Sequence, residues 1–369
     1  MKKMIASIKS LCFFMVLPCV FLSVGCGAES DYLLESAEFS QSDAAQSARP
    51  PKCAQDELCL LGLTTAIFNY NLAVHGHYMY GSAFCSEESY THGLHGLQII
   101  DISNPVKPEK MGCVDIHPGH GSESISVGPN GNYAYIGAGG TQGGYVVDVS
   151  QKKHPVLVGE FPDDFGGIEY VEVKGHTAFI LGHDNFIVAD VSDPSQPEMI
   201  WSYQVPGGAR QLIVAKGYVY LAGQHLYIFD VSNPAAPWLA GQVEHSSLDG
   251  IQVAGNYAYG IGSNGLTIFD ISQPEVAFPV SSVAEGFHSF GDLAINRTHI
   301  YVTVHPTGSV VGGVRVFNIS NPLVPSLATS VDIAGGCDGV ELFGGNKVAF
   351  NCGGFGHDFE GAMIYKTLK

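Results

Sequence analysis

Leu226-Tyr227-Ile228-Phe229-Asp230-Val231-Ser232-Asn233-Pro234 is an apolar run followed by Asp, a β-branched residue, Ser, a turn residue and Pro. The phrase, usually with its Pro, recurs with its acid at Asp101, Asp148, Asp190, Asp230 and Asp270, and with Asn in that place at Asn318. Successive copies lie 47, 42, 40, 40 and 48 residues apart, a period that means one supersecondary unit repeated in space. Asp and Ser bond nearby backbone amides as a strand ends, and Pro blocks its continuation.

The unit reads as four strands. In the fifth copy they run over 250–254, 256–261, 266–271 and 280–283, with Gly255-Asn256 and Asn264-Gly265 as hairpin turn pairs. Counting first strands gives seven units, beginning near Asn69, Glu123, Glu169, Gln211, Asp249, Asp292 and Asp338. The seventh ends at Lys369 with no room for a fourth strand, while Leu58-Cys59-Leu60-Leu61-Gly62-Leu63 stands before the first unit without partners. An orphan strand at one end and a missing strand at the other imply a closed ring, which removes an exposed sheet edge. The expected fold is all-β: a seven-bladed β-propeller of four-stranded blades over 52–369, closed by the N-terminal strand completing the last blade.

Composition agrees. Of 369 residues 46% are hydrophobic and 14% charged, and 46 Gly, 17 Tyr and 20 Phe favour short strands and tight turns. A net charge of -18 with 17 Lys and Arg argues against a nucleic-acid partner and leaves cations or metal ions as better matches.

Residues 1–25 read as a signal peptide, with Lys2, Lys3 and Lys9 ahead of the apolar run from Leu11 to Val24. Leu22-Ser23-Val24-Gly25-Cys26 resembles a bacterial lipoprotein box with Cys26 as the lipidated residue, although the Leu stands one place further back than usual. Ordinary cleavage after Ala28 is the competing reading. Residues 26–51, rich in Ser, Ala, Gln and acid, have the composition of a disordered tether. Six cysteines remain in the body, and an oxidising compartment makes disulfides the default. Cys337 and Cys352 bracket one hairpin and form the first expected pair; Cys53 with Cys59 and Cys85 with Cys113 follow by elimination.

The phrase quoted above, and Leu97-Gln98-Ile99-Ile100-Asp101-Ile102-Ser103-Asn104-Pro105, resemble the LVIVD repeat family of bacterial extracytoplasmic propellers. The resemblance implies a secreted or surface location and brings no catalytic residues with it. Asn318 for Asp, and Lys366 at the matching place of the seventh unit, weaken single turns and leave the fold intact.

Chemistry is expected at one mouth of the central channel, where the loops before first strands gather. His92, His95, His117, His120, His183, His225, His245, His288, His305 and His357 fall in or beside those loops. Alignment on the turn after the first strand sets Glu123, Glu169, Gln211, Asp249 and Asp338 at one equivalent place, with Asp292 one residue off. Carboxylates ringing one mouth repel unless offset. Arg210 is one counter-ion and Ca²⁺ another. His117, His120 and Glu123 supply imidazole and carboxylate for Zn²⁺ or a similar ion, and His117, His120 or His288 is the candidate base. Against both stands the plain reading in which these residues populate tight loops and bond backbone amides. No Gly-x-Ser-x-Gly turn accompanies Ser122, Ser124 or Ser289.

The expected function is a non-catalytic, monomeric binding platform for a protein or glycan ligand in the bacterial cell envelope, attached to membrane by lipid alone or secreted. Ligand contacts are assigned to Glu123, Glu169, Arg210, Asp249, Asp292 and Asp338. The alternatives are an extracellular enzyme at the same mouth, a metal-assisted hydrolase or polysaccharide lyase, and a purely structural envelope protein.

Overall fold

The computed structural model describes residues 58–64, 71–86, 88–89, 94–118, 124–139, 143–245, 247–284, 290–306, 311–333, 335–353 and 361–368. The signal peptide, Cys26, the tether and Cys53 lie outside them. Among these described residues, alternating apolar runs separated by turn pairs give 28 strands and no long α-helix. β1 (Cys59–Thr64) stands first. Blade 1 is β2 (Leu72–His75), β3 (Tyr78–Ala83), β4 (Leu94–Asp101) and β5 (Glu109–Pro118), and blade 2 is β6 (Ser124–Val127), β7 (Tyr133–Gly137), β8 (Gly144–Asp148) and β9 (Val156–Glu160). Blade 3 is β10 (Ile168–Lys174), β11 (Thr177–Gly182), β12 (Asn185–Asp190) and β13 (Glu198–Gln204), and blade 4 is β14 (Ala209–Ala215), β15 (Tyr218–Gly223), β16 (His225–Asp230) and β17 (Trp238–Glu244). Blade 5 is β18 (Leu248–Ala254), β19 (Tyr257–Gly262), β20 (Gly265–Asp270) and β21 (Phe278–Val283), and blade 6 is β22 (Phe290–Ile295), β23 (His299–Val304), β24 (Gly313–Asn318) and β25 (Ser326–Asp332). β26 (Cys337–Phe343), β27 (Lys347–Cys352) and β28 (Gly361–Lys366) form blade 7 together with β1, in the order β1-β28-β27-β26.

The expected closure is therefore present: β1 pairs antiparallel with β28, Cys59 opposite Lys366 and Thr64 opposite Ala362. Each innermost strand packs against the innermost strands of both neighbouring blades, β2 against β26 and β6 included, so the ring is complete.

The repeated phrase has a physical account. In all six copies the Ser amide donates to the Asp or Asn Oδ1 two residues before it, at 2.7–3.0 Å. The β-branched residue between them is buried. Its amide donates to the turn of its blade's inner hairpin, as in Val231 to the Gly217 carbonyl at 2.9 Å and Ile271 to the Asn256 carbonyl at 2.9 Å. Blade 7 keeps this second bond, Thr367 to the Asn346 carbonyl at 3.0 Å, although Lys366 replaces the acid. The phrase also joins blades. A Cβ on Gly62, Gly159 or Gly241 of a fourth strand would lie 2.0–2.4 Å from the carbonyl oxygen of Pro105, Pro194 or Pro274 in the next blade's phrase. Glycine there lets the blades approach.

All seven fourth strands carry a register slip. Such bulges twist the open edge of each blade away from pairing with another sheet. Cys337–Cys352 is bonded, closing the hairpin of β26 and β27 as expected, and so is Cys85–Cys113. Cys59 is disulfide-bonded too, and its expected partner Cys53 lies outside the described residues. These bridges place the protein in an oxidising, extracytoplasmic environment.

Candidate functional site

A second register slip, at the opposite end of the blade, builds the channel mouth. In blades 3 to 7 the innermost strand slips near its start: between Ile168 and Tyr170, Ala209 and Gln211, Leu248 and Gly250, Phe290 and Leu293, and Cys337 and Val340. The residues inside those slips are Glu169, Arg210, Asp249, the pair Gly291-Asp292, and the pair Asp338-Gly339. A bulge re-aims the side chain it carries. Glu169, Arg210, Asp249, Asp292 and Asp338 accordingly line one cavity of about 310 Å³, together with Asn71, His305 and Tyr170.

The pairing corrects one expected equivalence. Arg210, not Gln211, stands where blades 3 and 5 place Glu169 and Asp249; Gln211 matches Tyr170 and Gly250. The cause is the next turn. Blades 3 and 5 put Gly175 (φ 64°) and Gly255 (φ 58°) first in their two-residue turns, whereas blade 4 puts Lys216 there, at φ 54°, ahead of Gly217. Alignment on glycine thus moves blade 4 by one residue. A non-glycine in this left-handed region is uncommon, and Lys216 Nζ is tied to the Gly255 carbonyl of the next blade at 2.5 Å.

The mouth acids do two different jobs. Asp292 is a clasp. Its Oδ1 accepts from the Leu293 amide at 2.7 Å and from Gln211 Nε2 at 2.7 Å, and its Oδ2 accepts from the Val340 amide of blade 7 at 3.3 Å. Gln211 in turn accepts from the Ile251 amide at 2.5 Å, so this chain joins blades 4, 5, 6 and 7. Gly250 leaves the space for it: a Cβ there would lie 3.0 Å from Gln211 Oε1. Innermost strands are sheet edges whose channel-side amides need partners, and neighbouring blades supply them. Val171 and Val173 donate to Ser124 and Ser126 at 3.0 Å, and Val214 donates to Glu172 at 2.8 Å.

The remaining mouth residues are only lightly engaged. Arg210 Nε meets Asp249 Oδ1 at 3.3 Å, His183 Nδ1 meets Glu169 Oε1 at 3.3 Å, and His305 Nδ1 meets Asp338 Oδ1 at 3.1 Å. Burial pushes Asp338 up to about 7 and lowers His305; burial also raises Asp249, opposed by Arg210. Deeper in the channel, burial and the Asp292 and Glu172 charges push Glu341 up to about 8, and burial brings Asp292 to about 6 in spite of the amides it accepts from. Glu172 and Glu341 belong to blades that are not ring neighbours, so they interact across the channel.

Of the expected site residues, Glu169, Arg210, Asp249, Asp292 and Asp338 meet in this cavity. Glu123, His120 and His288 lie outside the described residues; His117 sits in β5, its side chain outside the described set. The expected His117, His120 and Glu123 metal site and the three candidate bases therefore fall outside the described side chains. Among the described residues no three His, Cys, Asp or Glu side chains are placed to hold one metal ion. Asn71, Tyr170 and the pairing of His305 with Asp338 were not read from the sequence. For His305 the only signal was its place directly after a second strand.

The LVIVD repeat model matches residues 93–116, 121–163, 166–205, 206–245 and 247–278. No curated protein matches the sequence. Among solved structures, the Cps50 (Swd1) β-propeller domain of Myceliophteria thermophila aligns with a TM-score of 0.63 at 9% identity, over 84% of this chain and 100% of that one. U3-55K aligns with a TM-score of 0.62 at 11% identity over 84% and 98%. A protein from Lactobacillus plantarum aligns with a TM-score of 0.60 at 16% identity over 72% and 86%. At such identities the likeness is one of fold alone. The repeated phrase, the seven blades and the family match agree: the chain belongs to the LVIVD repeat family.

Proposed function

We propose that the protein is a non-catalytic binding platform of the bacterial envelope, monomeric and carried on a lipid at Cys26, whose channel mouth receives a cationic group presented by a protein or glycan partner. The observation that carries this reading is the set of bulges that turn Glu169, Asp249 and Asp338 into one cavity, with Arg210 as the single permanent cation among the described residues that line it. Three carboxyls against one guanidinium, which already faces Asp249, leave acceptor capacity for a lysine or amino-sugar ammonium. The test is titration with lysine-containing peptides and with chitosan oligomers. Glu169→Gln is expected to weaken peptide binding about tenfold, a loss of about 1.4 kcal/mol, with unchanged melting. Because burial holds Asp338 near 7, its charge is completed only as pH rises through that value, so binding of a lysine peptide should tighten from pH 6 to pH 8. Equal affinity at both values, or in Glu169→Gln, would count against the mouth.

A second reading rests on the His305–Asp338 contact inside the same cavity: an imidazole oriented by a carboxyl is the arrangement a general base needs. In that case the protein acts on polysaccharide by hydrolysis or elimination. Turnover of a polysaccharide panel should then fall about 100-fold or more in His305→Ala, and absence of turnover by the native protein removes this reading.

A further inference from the structure

Blade 5 departs from its sisters at one position. Three residues before the phrase acid, the third strands of the other blades carry Gln98, Tyr145, Ile187, Tyr227, Arg315 and Met363; blade 5 carries Thr267. Three of the larger residues reach backbone carbonyls beyond their own strand. Gln98 Nε2 donates to the Gly112 carbonyl at 2.7 Å, Tyr227 Oη to the Pro206 carbonyl at 2.6 Å, and Arg315 Nη2 to the Val311 carbonyl at 3.1 Å. Thr267 stops short, and Ser282 stands opposite it on β21. The result is a groove of about 700 Å³ that shares no residue with the channel mouth.

We propose that this groove is a second binding site, for a neutral carbohydrate. The described residues that line it carry hydroxyl, amide and imidazole groups, on Ser263, Asn264, Thr267, Ser281, Ser282 and His245, with no Lys, Arg, Asp or Glu among those described. Sugar hydroxyls both donate and accept, and these side chains, unlike carboxylates or ammonium groups, offer both roles on one wall. Seating a neutral ligand there strips no ion of its water. Ser281 donates its hydroxyl proton to the Pro322 carbonyl of blade 6 at 2.6 Å, which ties β21, one wall of the groove, to the next blade. Pro279 adds an apolar surface against which the C–H face of a pyranose can lie. The His245 ring stands edge-on to Phe269, centroids 5.4 Å apart, at the groove's end. The volume lies within the range of ligand sites, about 300–1,000 Å³.

The site does not depend on the channel-mouth reading, and one experiment separates the two. Calorimetric titration of the full exported protein with cellohexaose, maltohexaose and chitohexaose is expected to show binding of at least one. Thr267→Tyr places in blade 5 the residue that blade 4 accommodates at Tyr227, and should weaken that binding about tenfold or more, while Arg210→Ala leaves it within about twofold. Ser282→Val provides the same readout should Thr267→Tyr fail to fold. Binding of none of the three, binding unchanged by both groove variants, or binding lost in Arg210→Ala and kept in Thr267→Tyr would each overturn the proposal.

Discussion

Deleting residues 52–64 is expected to lower the melting temperature by about 10 °C, and moving them to the other end of the chain to restore it. β1 is registered against β28 over five residue pairs, and it touches two cores. Leu60 packs on the cluster built around Tyr301, Phe350 and Tyr365, and Leu61 packs on the cluster shared by blades 7 and 1. Its hydrogen bonds at about 1 kcal/mol each and its leucines at about 25 cal/mol per Å² amount to about 5 kcal/mol after overlap. That is a large part of ordinary domain stability, and for a domain of this size 1 kcal/mol moves the midpoint about 2 °C. The permutant separates closure from mere loss of contacts. Cys59 lies opposite Lys366, so a short linker after Lys369 lets the same strand return as an ordinary hairpin. A permutant that melts with the truncated chain would show that β1 does not latch the ring.

The ring and its closure were legible in the sequence because their causes are local and repeated. Each Asp or Asn holds a Ser amide two residues on, each β-branched residue is buried behind it, and in five of the six copies a Pro follows the turn residue; such a recurrence of one physical solution cannot be mistaken for chance. The leucine-rich segment before the first unit was recognisable as a fourth strand for the same reason. The mouth was legible by residue type and not by position. Its side chains are aimed by bulges, and a bulge changes the register by one residue without marking the sequence. Lys216 then hid the correct alignment of blade 4 by occupying a turn position that glycine holds in blades 3 and 5. Nor could the sequence divide the acids by role. Asp292 and Asp338 look alike as letters, yet one accepts three donors from blades 4, 6 and 7 while the other meets His305 in the cavity. The groove in blade 5 was written as Thr267 among larger residues, a contrast that acquires meaning only once the strands are in register.

Those buried acids give the stability a definite pH dependence. Asp292 near 6, Asp338 near 7 and Glu341 near 8 are all raised, chiefly by burial. A carboxyl whose folded value is raised contributes stability that is complete below its unfolded value near 4 and is lost as pH rises through the folded value. Asp101, Asp190 and Asp270 act in the other sense, held low by hydrogen bonds from the following Ser; their contribution disappears as pH falls below about 4. Stability should therefore peak near pH 5 and decline to pH 8.5. Each unit of displacement is worth about 1.4 kcal/mol, but the Glu341 shift contains the Asp292 charge, so the shifts do not add. A decline of about 3 kcal/mol, or about 6 °C, is the expected scale. Glu341→Gln keeps the shape and removes the most displaced carboxyl, so it should raise the melting temperature at pH 8.5 by about 4 °C and leave it unchanged at pH 5. Asp292→Asn should do the opposite although that acid is raised too, because its two oxygens accept only from donors and the amide nitrogen would face one of them unpaired, at a cost of about 2 kcal/mol. Melting curves flat from pH 5 to 8.5, or a Glu341→Gln curve parallel to the native one, would mean that water reaches the channel acids and that they ionise freely.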